Sequence, residues 1–224
     1  SSGIQALDEM LKDGYWSGAS TLVAGPTGIG KTLMGLHFVF HAVADGERAI
    51  IATTQEDPSQ LERVARQFGW DVSSDRLTVM YRSPVDLDVD QCVHALLDMI
   101  EATGASRVLV DSLGDLQAAA ADDARFREYL YSLLHRSSRR GTSVMLTYEV
   151  SELTGVNRLS DAAMSQLADN VVLLEYGQLG EAMTRYLTVL KTRAADHQSG
   201  SREFRITDDG LLLAPTLGSS SATE

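Results

Sequence analysis

An eight-residue segment of the chain has the residue types and the spacing of a phosphate-binding loop. It reads Gly25-Pro26-Thr27-Gly28-Ile29-Gly30-Lys31-Thr32 and matches the pattern G-x-x-x-x-G-K-T throughout. Glycines let the backbone wrap around phosphates, the Lys31 ammonium adds positive charge, and the Thr32 hydroxyl is a ligand for Mg²⁺. The alternative is a glycine-rich structural turn. A predicted strand precedes the segment and a predicted helix follows it, which favours a nucleoside triphosphate site.

A candidate for the second half of a magnesium site is the aspartate at the end of an apolar run. Residues 107–110 read Arg-Val-Leu-Val and predict a buried strand, which Asp111 follows directly. Together with Thr32, Asp111 would hold Mg²⁺ through a water molecule. The other common role of an aspartate here is to cap a following helix. The nearby phosphate loop favours the magnesium site.

Apolar runs alternate with helical patterns along the first 150 residues, which predicts an α/β fold. The predicted strands are residues 20–24, 48–54, 77–81, 107–110 and 143–148, and the predicted helices are residues 32–44, 58–68, 89–102 and 123–140. Strands joined by such helices pair in parallel. After Asp169 the pattern changes to strands with short connections, at residues 171–176, 185–192, 202–206 and 211–213. We expect a mostly parallel central sheet flanked by helices, with an antiparallel C-terminal strand extension.

Composition and charge bear on partners and location. The chain has 224 residues, 44% of them hydrophobic, and a net charge of −12. This acidic balance argues against nucleic acid as a partner, because Lys and Arg supply most of the affinity for phosphate backbones. No apolar run approaches the roughly 18 residues of a membrane span, and Cys92 is the single cysteine, so we expect a cytoplasmic protein. Because the sequence begins at Ser1 without an initiator Met, we expect it to be part of a longer protein.

Several segments together resemble the KaiC-like branch of the RecA/RadA ATPase superfamily. They are residues 2–8, 20–22, 66–71, 110–113, 190–193 and 202–208, with Gly14, His197 and Gly210. The resemblance implies a RecA-like P-loop NTPase fold, with one ATPase domain over residues 1–214. The composition of residues 215–224, with Gly, Ser, Thr and Glu, predicts a flexible tail. The resemblance also implies self-assembly into a ring, usually a homo-hexamer, with ATP and Mg²⁺ between subunits. Clock- or signalling-type proteins are the further partners that the resemblance implies.

The resemblance assigns roles to basic residues on the antiparallel extension. Lys191 and Arg193 match a K-x-R motif whose side chains, in this family, reach the γ-phosphate of the nucleotide held by the neighbouring subunit. Such a pair stabilises charge in the transition state. His197 matches a position near the nucleotide. From the sequence alone, Lys191 and Arg193 also fit two solvated charges on one face of a strand.

The chain departs from the family at the residues expected to activate water. Relatives have two adjacent glutamates at the end of the second strand, and here these positions are Gln55 and Glu56. A carboxamide orients a water molecule but cannot accept its proton, and general base catalysis contributes roughly 10²–10⁴-fold. Glu56 would point to the opposite face unless the backbone turns there. Glu149 is another carboxylate expected at the same edge of the sheet, with a solvated loop charge as the alternative.

Three functions therefore stay open at the level of sequence. The first is a Mg²⁺-dependent ATPase ring, and the second is a nucleotide-gated assembly module with little hydrolysis, which Gln55 favours. The third is a serine autokinase that modifies Ser165, in a region where some relatives phosphorylate themselves. A recombinase-like motor on DNA is disfavoured by the acidic charge and by the lack of basic strand-binding loops.

Three other groups of residues are interpreted as structural. His37 and His41 have the i, i+4 spacing of zinc ligands but lack the glutamate of H-E-x-x-H and a third ligand. The aspartates at positions 86, 88 and 90 begin like a calcium loop, but position 91 lacks its glycine and position 97 its glutamate. Cys92 lies on an apolar helix face and is expected to be buried and inert.

Overall fold

One mixed β-sheet forms the centre of the molecule, in a computed structural model that describes residues 1–12, 14–150, 164–179, 182–193 and 200–214. Its strands in chain order are β1 (Ser20–Gly25), β2 (Ala49–Thr53), β3 (Leu77–Tyr81), β4 (Arg107–Asp111), β5 (Ser143–Glu149), β6 (Asn170–Leu179), β7 (Ala182–Thr192), β8 (Ser201–Thr207) and β9 (Gly210–Leu213). The strand order across the sheet is β3-β2-β4-β5-β1-β6-β7-β8-β9. The pairs from β3 to β6 are parallel and those from β6 to β9 are antiparallel. The predicted fold class is confirmed.

Helices cover both faces of the parallel strands. They are α1 (Gln5–Met10), α2 (Lys31–Ala44), α3 (Pro58–Gln67), α4 (Val89–Thr103), α5 (Leu113–Ala119), α6 (Asp123–Arg139) and α7 (Met164–Leu167), with a 3₁₀ turn at Pro84–Asp86. Because neighbouring strand residues point to opposite faces, Leu22 packs into the core under α4, α5 and α6, and Val23 into the core under α1, α2 and α3. Burial on both faces explains why these strands are continuous apolar runs.

Most strands are one or two residues longer than predicted from the sequence, and the largest extensions are in two neighbouring strands. Strands β6 and β7 are longer than the predicted residues 171–176 and 185–192, because they continue to pair with each other beyond the four residues of β6 that pair with β1. Helices α1, α5 and α7 were not predicted. The predicted tail, residues 215–224, lies outside the described residues. Within the described part of the chain, no helix combines the length and hydropathy that crossing a bilayer requires.

Candidate phosphate and metal site

The predicted phosphate loop connects β1 to α2 at the carboxyl edge of the parallel strands, where α/β sheets bind their ligands. Gly28 and Gly30 have φ angles of 74° and 119°, in the left-handed region that favours glycine. At Gly25, an added Cβ would lie 2.6 Å from the carbonyl oxygen of Leu174. The loop therefore needs glycine both for its turns and for its close approach to β6.

Lys31 begins α2 and is held inside the loop. Its Nζ donates a hydrogen bond to the Pro26 carbonyl oxygen at 2.8 Å, so the ammonium lies across the opening of the loop. Burial lowers the pKa of Lys31, and the negative charges of Glu149 and Asp111 oppose this effect. Together with the N–H groups at the start of α2, this ammonium makes the loop a binding site for an anion.

The first turn of α2 and the end of β4 meet through a hydrogen bond between side chains. Thr32 Oγ1 donates to Asp111 Oδ2 at 2.9 Å, and Thr147 Oγ1 on β5 donates to Asp111 Oδ1. Asp111 is only 3% exposed. Burial raises its pKa, and the bonds from Thr147 and Thr32 and the charge of Lys31 oppose this effect. The structure thus brings together the two residues that the sequence predicts for the metal, and adds Thr147, which no sequence motif marked.

The donor set at this point fits a magnesium ion shared with phosphates. Among the described residues, no group of three or more His, Cys, Asp or Glu side chains could hold a metal without a ligand. Mg²⁺ commonly takes one or two protein oxygens and completes its octahedron with phosphate oxygens and water. A hydroxyl and a buried carboxylate beside a phosphate loop match that chemistry. Thr32 and Asp111 are therefore the residues that could hold the ion.

The backbone turns directly after β2 and brings Gln55 and Glu56 to the same edge. Residues 54–56 are bends, and the N–H groups of Gln55 and Glu56 both donate to Thr53 Oγ1 at 3.1 Å. Burial raises the pKa of Glu56, and the charge of Asp111 raises it further, so the two carboxylates lie within electrostatic range. The Gln55 amide instead donates to Asp115 on α5. Sequence reasoning did not identify Asp115, because it lies in no recognisable motif.

Glu149 lies at the carboxyl edge as well, as the last residue of β5. It is paired in register with Gly25, at the start of the phosphate loop. Its side chain is exposed, and its charge acts on Lys31. Glu149 therefore lies at the edge of the sheet that the sequence predicts. It is the last residue of β5, whereas the sequence-based strand ended at residue 148.

Lys191 and Arg193 lie at the opposite, amino edge of the sheet. Lys191 pairs with Val171 at the start of β6, and its Nζ donates to the Ala168 carbonyl oxygen at 2.7 Å. Arg193 forms an ion pair of 3.0 Å with Asp169, which also accepts hydrogen bonds from Ser20 at the start of β1. The structure does not bring this basic pair to the phosphate loop of its own chain. His197 lies outside the described residues, as does the side chain of Ser165 in α7.

Comparisons with known proteins agree with this fold. The model of the KaiC ATPase family matches residues 1–217. Circadian clock protein KaiC3 of Synechocystis is 32% identical over 216 residues, which cover 95% of this chain and 43% of that protein. The circadian clock oscillator protein KaiC of Synechococcus elongatus is 29% identical over 94% of this chain and 41% of its own length. The chain thus spans about two fifths of these relatives.

A solved structure gives the same result for the fold. The crystal structure of a KaiC-like protein from the archaeon Pyrococcus horikoshii superposes with a TM-score of 0.84 and covers 96% of this chain and 98% of that one. At 24% sequence identity, this likeness concerns the fold. The family model covers nearly the whole chain, phosphate loop and Asp111 included. The chain belongs to the KaiC family of ATPases.

Proposed function

We propose that this domain binds ATP with Mg²⁺ at the phosphate loop and hydrolyses it to ADP and phosphate. The observation that carries the proposal is the 2.9 Å hydrogen bond between Thr32 and Asp111. It joins the first turn of α2 to the end of β4, beside the ammonium of Lys31. A buried carboxylate, a hydroxyl and a phosphate loop at one point are the parts that a magnesium triphosphate requires.

The loop, Thr32 and Asp111 have separate roles in this proposal. The backbone N–H groups that follow Pro26 in the loop and the Lys31 ammonium bind the phosphates, and Thr32 and Asp111 hold the metal, which neutralises charge on the phosphates when bound. A water oxygen forms a bond to the γ-phosphorus, while the bond from that phosphorus to the bridging oxygen breaks and its electrons stay with ADP. The water gives up one proton, which the phosphate product carries.

Hydrolysis is expected to be slow, because the position of the expected base holds an amide. Gln55 can orient the water but cannot take its proton. Glu56 is the second carboxylate of the pair expected in this family, and its raised pKa and its position near Asp111 make it the alternative proton acceptor. The same amide supports a second candidate function, a module that binds ATP and assembles with negligible turnover.

We further propose that subunits assemble into a ring, usually of six, with the nucleotide between neighbours. Strand β1 runs from Ser20, near Arg193, to Gly25 at the phosphate loop, and five steps of about 3.3 Å separate these two ends by about 17 Å. Arg193 is therefore remote from the loop of its own chain, and the Lys191 ammonium is bonded to the Ala168 carbonyl oxygen at the same amino edge, so we assign the pair to the nucleotide of another copy. Two relatives are named for circadian clocks, and we propose a signalling role with protein partners.

Phosphate release from ATP tests the proposed activity. We expect wild type to release phosphate in the presence of Mg²⁺, and Lys31→Ala to reduce the release to background. Arg66→Ala, which removes an exposed cation from α3, is the matched control and should keep the wild-type rate. Tight ATP binding without release in wild type would support the assembly module instead. No binding at all would contradict both functions.

A further inference from the structure

One carboxylate oxygen next to the proposed site collects three hydrogen bonds. Asp115 Oδ2 accepts from Thr54 Oγ1 at 2.6 Å, from Ser112 Oγ at 3.1 Å and from the side-chain amide of Gln55. Thr54 and Ser112 are themselves anchored, because the Ser112 N–H donates to Thr54 Oγ1 at 3.2 Å. Asp115 is therefore fixed by its surroundings and can in turn fix the side chain of Gln55.

This cluster is tied directly to the end of β4. The Thr54 N–H donates to the carbonyl oxygen of Asp111 at 2.7 Å, and Asp115 lies in the first turn of α5, which follows β4 closely. The negative charge of Asp115 raises the pKa of the buried Asp111 carboxyl, after the larger effect of burial. The amide of Gln55 is therefore held beside the residue proposed for the metal, at the edge where the γ-phosphate is expected.

The charge of Asp115 determines which way the amide of Gln55 points. An ionised carboxylate only accepts hydrogen bonds, so the NH₂ group of Gln55 must face Asp115 and its Oε1 must be turned away. An amide oxygen accepts a hydrogen bond from water. With a neutral partner at position 115, both orientations of the amide would be possible.

We propose that Asp115 is a positioning residue for ATP hydrolysis, which holds the carboxamide of Gln55 with Oε1 toward the attacking water. The inference rests on the proposed function and adds to it the group that compensates for the missing glutamate. It also changes the expectation for Gln55→Glu. In that variant two carboxylates would face each other across a hydrogen-bond distance, and the repulsion would turn the new glutamate away from the water.

Four proteins test the pair: wild type, Gln55→Glu, Asp115→Asn and the double variant. We expect Asp115→Asn to lower kcat about tenfold with KM unchanged, because the water loses its orientation while ATP binding does not. Gln55→Glu alone should be no more active than wild type. The double variant should recover at least the wild-type kcat, because the amide introduced at position 115 can donate to the carboxylate introduced at position 55. Asp98→Asn, an exposed aspartate on α4, is the control and should change nothing.

A second readout needs no activity. In the nucleotide-free proteins, urea unfolding should show Gln55→Glu to be destabilised, and Asp115→Asn should reverse that loss in the double variant. Additive effects on stability, an unchanged kcat in Asp115→Asn, or a Gln55→Glu variant that is highly active with Asp115 present would each overturn the inference. If wild type releases phosphate no faster than Lys31→Ala, the proposed ATPase function fails, and the positioning role of Asp115 fails together with it. If wild type releases phosphate and the single variant Asp115→Asn keeps the wild-type kcat, hydrolysis stands and the positioning role falls.

Discussion

Among single residues, Asp111 is a buried carboxylate, and its neighbours stabilise the negative charge. Two threonine hydroxyls, from Thr32 and Thr147, donate to its two oxygens, and Lys31 contributes positive charge. A buried carboxylate that keeps hydrogen-bond donors on both oxygens is oriented before any metal arrives. The hydroxyl of Thr147 is therefore expected to affect metal binding although it is not itself a proposed ligand.

Thr147→Val tests this support. The change keeps the shape of the side chain and removes the hydroxyl that orients Asp111, so we expect the affinity for MgATP to fall about tenfold. Isothermal titration calorimetry on nucleotide-free protein measures it. Thr142→Val is the matched control, since it removes a buried hydroxyl bonded to the Ala105 carbonyl oxygen at the other end of β5. Equal affinity losses in the two variants would rule out a specific role for Thr147.

His37 predicts how stability depends on pH. Its Nε2 accepts a hydrogen bond of 2.9 Å from the Leu211 N–H, its ring packs edge-on against Trp70, and burial followed by the charge of His41 lowers its pKa to about 4. The unfolded chain takes up this proton near pH 6.5, before the folded protein does. Stability should therefore fall as pH decreases from 6.5 to about 4, by about 2 kcal/mol after allowance for the partial exposure of His37.

Urea unfolding at pH 7 and at pH 4.5 measures this effect. His37→Gln, whose side-chain oxygen can still accept from Leu211, should lose about 1.5 kcal/mol less than wild type over that interval, because pH 4.5 stops short of the folded pKa. The exposed His94 gives the control, because His94→Gln should follow the wild-type curve. The interpretation is wrong if wild type and His37→Gln lose stability in parallel.

The residues of the candidate site that sequence patterns indicate are those whose spacing is local. The phosphate loop is one continuous segment, and Asp111 follows an apolar run, so pattern and position were enough. Thr147 and Asp115 act through contacts with residues 36 and 60 positions away. Such contacts follow from the strand order and from the start of α5, neither of which the local pattern contains. The turn after β2 brings Glu56 near Asp111. The local pattern could not predict this turn, so from the sequence a role for Glu56 depended on whether the backbone turns there.

Among the secondary-structure elements, α3 has a start that the sequence encodes in full. Asp57 caps the helix by accepting from the N–H groups of Ser59 and Gln60, Pro58 occupies the first turn, and the Gln60 side chain accepts from the Asp57 N–H. This is a complete capping box. It fixes α3 directly after the bend that carries Gln55 and Glu56, so the cap also anchors that part of the site.

Asp57→Ala should destabilise the protein by about 1 kcal/mol, because two N–H groups of the first turn lose their acceptor. The free energy of unfolding in urea measures the loss. Asp57→Asn keeps an equally good cap and should stay within a few tenths of a kcal/mol of wild type. A loss of the same size in both variants would show that the charge of Asp57, rather than its capping bonds, is what stabilises α3.

The helices that the sequence did not predict are short, and their local sequence signals are weak. Helix α1 has six residues, and neither Ile4 before α1 nor Ser112 before α5 makes a side-chain cap. Isolated helices of this length are unstable in water, so tertiary packing must supply their stability, through buried residues such as Leu7 of α1 and Leu116 of α5. The long helices α2, α4 and α6 were predicted to within about one residue at each end, the usual precision of such boundaries.

At the scale of the whole molecule, the sheet places two sets of charged residues at opposite edges. The phosphate loop and Asp111 lie at the carboxyl edge, and Lys191 and Arg193 at the amino edge. In the proposed ring, the amino edge of one copy meets the carboxyl edge of the next, through a heterologous interface that closes. The proposed site is then completed by a neighbour.

Mixing two inactive variants tests completion in trans. Lys31→Ala removes the phosphate site and Arg193→Ala removes the basic residue at the opposite edge, so each protein alone should be nearly inactive. A one-to-one mixture that exchanges subunits should regain activity, because about one quarter of its interfaces combine an intact loop with an intact Arg193. A mixture as inactive as its components would contradict nucleotide binding between subunits, provided that mass spectrometry shows mixed assemblies.

The central claim is that the loop of residues 25–32 and Asp111 together bind a magnesium triphosphate, and calorimetric titration of nucleotide-free protein with MgATP tests it most directly. We expect saturable binding of one nucleotide per chain, at least about a hundredfold weaker in Lys31→Ala. Removal of Mg²⁺ should weaken ATP binding in wild type. In Asp111→Asn, where the proposed metal ligand is already lost, removal of Mg²⁺ should change ATP binding little. Folded wild-type protein that gives no heat of binding at millimolar MgATP, or that binds no better than Lys31→Ala, would contradict the account.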